Sequence, residues 1–179
     1  MSVTPHRTSR WFVVTVFVTG LSLGLFAKGK GLDPSTWSGR EPGEAASVLL
    51  DLAIAEAGGG SWERIAVGRI HYLSGNTAEA EAIFSGYTGP KAEASDLIRI
   101  ARVYVKAGDW EKARPLADRV VELAPDDRDW LVEVGAYYNL NGDRARAEEL
   151  FARGFAKKAD MWALLDAAGS YLEVPVQRN

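Results

Sequence analysis

Three segments of the chain begin alike, and this repetition constrains the fold more than any other feature of the sequence. They are GNTAEAEAIF from Gly75, GDWEKARPLA from Gly108 and GDRARAEELF from Gly142. Their starts lie about 33 and 34 residues apart, a period that is typical of stacked helical arrays. Each Gly is followed by Asn or Asp and, five residues after the Gly, by Ala. The repetition therefore predicts three copies of one helical unit.

Each shared residue type has a physical role at a tight turn between two helices. A Gly can adopt the left-handed conformation that ends one helix. The Asn or Asp that follows can cap the next helix, and the Ala lets two antiparallel helices lie close together. A small residue seven positions before each turn Gly permits close packing from the first helix. The caps are Asn76, Asp109 and Asp143, the alanines are Ala80, Ala113 and Ala147, and the upstream small residues are Gly68, Ala101 and Gly135.

This joint pattern resembles the tetratricopeptide repeat, a helix-turn-helix unit of about 34 residues. The resemblance covers roughly residues 61 to 159. Further matching positions are Phe84, Tyr104, Ala117, Pro125, Tyr138 and Phe151. The sequence departs from the family where His71 replaces the usual Tyr and where the family's early Trp is displaced to Trp62 and Trp130. The second helix of the first unit looks short, because Gly86-Tyr-Thr-Gly-Pro90 interrupts it. Pro115 lies inside the second helix of the second unit, where it is expected to remove a hydrogen bond and bend the helix.

The predicted fold is all-α, with a single N-terminal transmembrane helix followed by an α-solenoid. About three helical pairs are expected, with a capping helix on each side, because repeat arrays need terminal helices to cover their exposed apolar faces. The predicted segments are a basic tail 1–10, a transmembrane helix 11–28, a linker 29–43, the repeat domain 44–173 and a C-terminal tail 174–179.

The resemblance implies a concave surface, lined mainly by the first helix of each pair, that binds extended peptides or partner helices. The positions that it implies here are Trp62, Ile65, Arg69, Tyr72, Arg99, Arg102, Lys106, Val132, Asn139 and Leu140. Spacings of three and four place Arg99, Arg102 and Lys106 on one helix face. With Arg69 they form either a basic stripe for an acidic peptide or carboxylate, or a solvated cationic face.

The charge-free stretch WFVVTVFVTGLSLGLFA, residues 11 to 27, decides where the array works. Arg7 and Arg10 precede it, Lys28 and Lys30 follow it, and a helix of this length is about 25 Å long. Because lysines at its end can snorkel and no small-residue cleavage site is evident, we expect a retained transmembrane helix. A cleaved signal peptide and a buried helix of a soluble domain are the alternatives.

Two further expectations concern this stretch. The positive-inside rule is close to a tie, but a short basic tail before a first span favours a repeat domain on the periplasmic or extracytoplasmic side. Gly20 and Gly24 lie four apart on one face, with Thr15 and Thr19 near it, which is a pattern that lets another membrane helix approach closely. Glycine is also simply common in membrane helices, so this face is either a helix–helix contact or a plain anchor.

The composition argues against an enzyme. Cysteine is absent, His6 and His71 lack metal-ligand spacing, and the net charge of -3 does not recruit nucleic acid. We expect His71 to be a packed core or half-buried residue. No cofactor, metal or small-molecule substrate is predicted, and an enzyme with carboxylates on the array is kept only as a control hypothesis.

The sequence therefore predicts a membrane-anchored protein-interaction scaffold. It would be an accessory or assembly subunit of a larger membrane or envelope complex, with other proteins as partners and the lipid bilayer contacted through residues 11–28. The alternative is an exported soluble adaptor of the same repeat class, from which a signal peptide has been cleaved.

Overall fold

The computed structural model describes residues 31–156 and 159–175, and all regular structure within these ranges is helical. A 3-10 turn, Pro34–Thr36, precedes the first helix, and a second, Ser85–Tyr87, follows the third. The helices are α1 Pro42–Glu56, α2 Ser61–Leu73, α3 Thr77–Phe84, α4 Ala94–Ala107, α5 Trp110–Leu123, α6 Arg128–Leu140, α7 Arg144–Phe155 and α8 Met161–Tyr171.

The helices form the predicted pairs. α2 packs on α3, α4 on α5, and α6 on α7, while α1 lies against α2 and α8 against α6. Successive pairs are joined where α2 meets α4 and where α5 meets α6. The α-solenoid with a flanking helix at each end is thus confirmed for the described part of the chain, and the predicted transmembrane helix 11–28 lies outside the described residues.

The repeated glycines end the first helix of each pair as predicted. Gly75, Gly108 and Gly142 have φ angles of 92°, 79° and 87°, a region that residues with a Cβ rarely adopt. Of the three predicted caps, only Asp143 accepts a hydrogen bond from the next helix, from the Arg146 amide at 3.0 Å.

The other two predicted caps are wrong. Asn76 and Asp109 make no side-chain cap hydrogen bond to the helix that follows them. The Asp109 carboxylate accepts a hydrogen bond from the Tyr72 hydroxyl instead, so a contact between neighbouring pairs competes with the local cap.

Small residues of the first helix and large residues of the second are matched in size. A Cβ added at Gly68 would lie 2.5 Å from Cε1 of Phe84, and one added at Gly135 would lie 2.7 Å from Cε1 of Phe151. In the second pair the corresponding residues are Ala101 and Ala117, both fully buried. The first and third pairs therefore pack a large ring against a Gly, whereas the second pair has two alanines at the corresponding positions.

The second helices of the pairs differ in length and in the presence of an internal proline, as the sequence indicated. α3 ends at Phe84, just before the Gly- and Pro-containing loop, and is the short helix that the loop predicts. α5 continues through Pro115, which lies within its first two turns. Pro42 begins α1 at a position where proline is well tolerated, two residues before the predicted start of the repeat domain.

The two ends of the array remain apolar on their outer sides. No residue of α1 is buried. α8 covers α6 with Ala163, Ala167 and Ser170 but exposes large side chains on its other face. These are Met161, Trp162, Leu164, Leu165 and Leu172. In the described part of the chain, no helix is long and apolar enough to cross a membrane.

Candidate protein-binding surface

The residues predicted to line the concave surface differ in how accessible they are. Trp62 at the start of α2 is 63% exposed, and Lys106 at the end of α4 is also exposed. Ile65 and Tyr72 are only 3% and 5% exposed. The structure places these two in the core rather than on the surface, because their side of α2 packs against α3 and α4. Binding of a partner by the accessible residues stays a prediction.

The predicted basic stripe is largely engaged within the protein. The Arg99 guanidinium lies 3.4 Å from the Asp96 carboxylate and also donates to the Ser95 carbonyl at 3.0 Å. Arg102 is paired with Glu133. Within the described residues, neither Arg69 nor Lys106 forms an ion pair with a carboxylate. Arg69 is half-buried and Lys106 is exposed, so these two cations, with Trp62, are the part of the predicted surface that is left for a partner.

Arg102 of α4 and Glu133 of α6 form an ion pair in which the carboxylate is fully buried and the guanidinium is half-buried. Arg102 donates from Nε and from a terminal nitrogen to the two oxygens of Glu133, at 2.6 and 2.8 Å. The Tyr137 hydroxyl donates to the same carboxylate. Burial opposes the charge on Arg102, but its hydrogen bond to Glu133 and the Glu133 charge outweigh that effect and raise the pKa of Arg102. Burial, with the Glu133 charge next, raises the pKa of Tyr137 well above its usual value.

A second polar cluster joins the first pair to the second. Lys112 of α5 donates to Glu81 of α3 at 2.8 Å and to the Tyr72 hydroxyl at 3.0 Å. Tyr104 of α4 donates to the same Glu81 at 2.8 Å. Its ring lies edge-on to that of Tyr72, with centroids 5.0 Å apart, and the Lys112 ammonium lies 5.1 Å from the Tyr72 centroid. Asp109 completes the cluster through Tyr72. The cluster fixes the stacking of one pair on the next.

The remaining predicted site residues lie on α6 and within α2. Asn139 is half-buried and donates to the Ser170 hydroxyl at 3.0 Å, which ties α6 to α8. Val132 is fully buried and Leu140 is half-buried. His71 is half-buried as expected, and its buried Nδ1 has no hydrogen-bond partner among the described residues. The predicted membrane contacts Thr15, Thr19, Gly20 and Gly24 lie outside the described residues.

Sequence reasoning missed the carboxylates that hold the array together. Glu133 interrupts an apolar run, WLVEVGAYY, and that interruption was the signal for a buried charge. Glu81 lies in a Glu-rich helix, and no local pattern sets it apart from Glu79. The structure shows no group of three His, Asp or Glu side chains placed to hold a metal within the residues it describes.

The geometry defines a class of protein, an α-solenoid of helical pairs with an open surface. A family model of the tetratricopeptide repeat matches residues 97–129, which span α4, α5 and the turn between them. The match supports a tetratricopeptide-repeat protein, a family that is generally a non-enzymatic protein-interaction module. No curated protein and no solved structure matches the chain. Protein binding is therefore the role that the fold and the family match indicate.

Proposed function

We propose that this protein is a membrane-anchored scaffold that binds a partner protein through the concave surface of its array. It acts as an accessory or assembly subunit of a larger membrane complex. The observation that carries the proposal is the stack of three helical pairs, one of which matches the tetratricopeptide repeat. The accessible Trp62, Arg69 and Lys106 supply an aromatic anchor and two cations, which suit a partner segment with apolar and acidic residues.

The anchor of this scaffold is the charge-free stretch within residues 11–28. Basic residues at both ends and its length support a span, and thirteen residues, 29 to 41, separate it from α1. At about 3.5 Å per residue such a linker keeps the array within roughly 45 Å of the bilayer. We place the array on the periplasmic or extracytoplasmic side, where it meets the exposed domains of membrane partners.

The experiment on the anchor separates the scaffold from an exported soluble adaptor. Membranes from cells that make the full chain are washed with alkaline carbonate, and the mature N-terminus is sequenced. An anchored scaffold stays in the pellet with its N-terminus upstream of residue 11. Release into the wash with a new N-terminus after Ala27 would establish the exported adaptor instead.

The experiment on partner binding uses the same membranes, solubilised in mild detergent, with the full chain isolated and the proteins that accompany it identified. We expect a membrane protein to accompany it. Replacing Gly20 and Gly24 with Leu is expected to leave insertion intact and to weaken that association, because the small-residue face is lost. Isolation of the chain with no membrane protein at all would contradict the scaffold.

A further inference from the structure

An apolar groove lies between α1 and α2, at the end of the array that is nearest the N-terminus. Its volume is about 470 Å³. The apolar residues that line it include Leu50, Ala53, Ala57, Trp62, Ala66 and Ile70. Trp62 and Ile70 are 63% and 45% exposed, so large apolar side chains face solvent along it. We call this surface the α1–α2 groove.

The position of the groove in the array indicates what shape of partner it fits. Inside the array, α2 packs both on its own second helix, α3, and on the first helix of the next pair, α4, and α6 packs in the same way on α7 and α8. α1 corresponds to the second helix of a preceding pair. The first helix of that pair would contact α1 and α2 together, which is where the groove lies. The groove is thus the place of one further helix in the stack.

The charges around the groove indicate the chemistry of that helix. Between Arg40 and Arg64 the sequence contains five carboxylates and no Lys or Arg. Two of them, Glu56 and Glu63, line the groove beside its apolar floor. A helix that lies here brings its own flanking side chains close to these carboxylates, so Lys and Arg are favoured there and Asp and Glu are disfavoured.

The same charges disfavour a second copy of this chain as the occupant. The exposed apolar helix at the other end of the array, α8, contains no Lys or Arg. α1 contains Glu44, Asp51 and Glu56 and also no Lys or Arg. Neither helix of another copy would therefore bring a cation of its own to Glu56 and Glu63.

We propose that the α1–α2 groove binds an amphipathic helix of a partner protein, whose apolar stripe is flanked by Lys or Arg residues. This site rests on the proposed protein-binding function, but it lies at the end of the array, between α1 and α2, and shares only Trp62 with the predicted concave surface. The partner helix would bind by placing its apolar face in the hydrophobic groove, which is a common mode of peptide recognition.

The test uses the full chain in nanodiscs of zwitterionic phosphatidylcholine and two synthetic helical peptides. Both peptides carry the same Leu stripe with a photoreactive benzophenone at its centre, and the stripe is flanked by Lys in one peptide and by Glu in the other. We expect the Lys peptide to bind at least about tenfold more tightly than the Glu peptide, after subtraction of its binding to empty nanodiscs. We also expect it to cross-link to α1 or α2.

Variants of the chain show where on its surface the Lys peptide binds. Ala66→Trp fills the groove from an exposed position and is expected to weaken binding of the Lys peptide at least about tenfold. The double variant Glu56→Lys, Glu63→Lys is expected to reverse the preference between the peptides. Ala168→Trp, the same change on the exposed face of α8, and the concave-surface variant Arg69→Ala, Lys106→Ala are expected to bind as the wild type does. Circular dichroism confirms that each variant is folded.

Other outcomes overturn the proposal. Equal affinity for both peptides, or unchanged binding by Ala66→Trp, would contradict a charged helix in the groove. A second sample, without peptide, carries a benzophenone amino acid in place of Ala66, and cross-links from it to residues 1–30 of the same chain, or to a second copy, would assign the groove to those segments instead. Loss of peptide binding in the concave-surface variant alone would move the site to that surface and leave the proposed function intact.

Discussion

Arg102 of α4 donates two hydrogen bonds to Glu133 of α6, at 2.6 and 2.8 Å, and so joins the second helical pair to the third. The Glu133 side chain is fully buried, whereas that of Arg102 is 22% exposed. A buried carboxylate requires a partner of this kind, because its separation from water is not otherwise offset. Arg102 thus stabilises the stack, although sequence reasoning assigned it to partner binding.

Removal of the Glu133 charge is expected to destabilise the fold. Glu133→Gln leaves the half-buried Arg102 without its counter-charge and should lower the free energy of unfolding by about 2 kcal/mol, less than for a fully buried pair. Urea denaturation of both chains measures the difference. Glu148→Gln, which removes the exposed partner of Arg144, is the matched control and should change the free energy of unfolding much less, because solvent screens that pair. An equal effect of the two changes would contradict the structural role of Glu133.

Alkaline pH is expected to destabilise the fold through its buried tyrosines. Burial raises the pKa of Tyr137, and the pKa of Tyr104 is raised by burial and by its hydrogen bond to Glu81. Because each pKa is higher in the folded chain, this stabilisation is complete below the unfolded tyrosine pKa of about 10 and is lost as the pH rises above it. Stability measured against pH should therefore fall above about pH 10. The stability of the Tyr137→Phe chain should fall less steeply over this pH range. A pH dependence equal to that of the wild type would contradict a contribution from Tyr137.

The contact between Gly68 and Phe84 predicts a size-dependent rescue. Gly68→Ala should destabilise the first pair by about 1–3 kcal/mol, because the added Cβ meets the buried Phe84 ring. Gly68→Ala with Phe84→Leu should be less destabilised than the sum of the two single changes, which a double-mutant cycle in urea measures. Gly86→Ala, where the Cβ meets open space, is the control. Additive effects of the two substitutions would contradict direct contact.

Local stability is expected to differ along the array. No residue of α1 is buried, whereas every residue of α6 from Leu131 to Tyr138 is buried. Helices with few buried apolar contacts open more readily, so α1 amides should exchange with deuterium at least about tenfold faster than α6 amides. Mass spectrometry of the exchanged protein measures this. A bound Lys-flanked peptide should slow exchange in α1 and α2 only. Equal protection of α1 and α6 in the chain without peptide would contradict the difference in burial between these two helices.

The sequence was sufficient for the fold of the repeats because their signals are local. A Gly with positive φ, an Ala fully buried between two helices and a period near 34 act within one unit, and Gly75, Ala80 and their equivalents are found where they were predicted. The matched sizes of Gly68 and Phe84 were also present as residue types at fixed offsets, although the sequence did not show that the two touch.

The site was harder to predict, because contacts between units decide which charges stay accessible. Arg102 and Lys106 share a helix face and look equivalent in sequence, yet only Arg102 lies opposite Glu133. Asp109 has the residue type and position of a helix cap, but the Tyr72 hydroxyl from the neighbouring pair engages it. Ile65 and Tyr72 were expected on the concave surface, and the packing of α2 on two helices turns them into the core.

Selection of a partner protein by the concave surface can be measured by quantitative co-isolation from native membranes. Three full-length chains are compared: the wild type, Arg69→Glu with Lys106→Glu, and the control Lys91→Glu with Arg144→Glu, which changes the net charge equally at exposed positions elsewhere. We expect one membrane protein to accompany the wild type and the control and to be reduced at least about tenfold with the concave-surface variant. Equal recovery of the same proteins with all three chains would show that the concave surface does not select the partner.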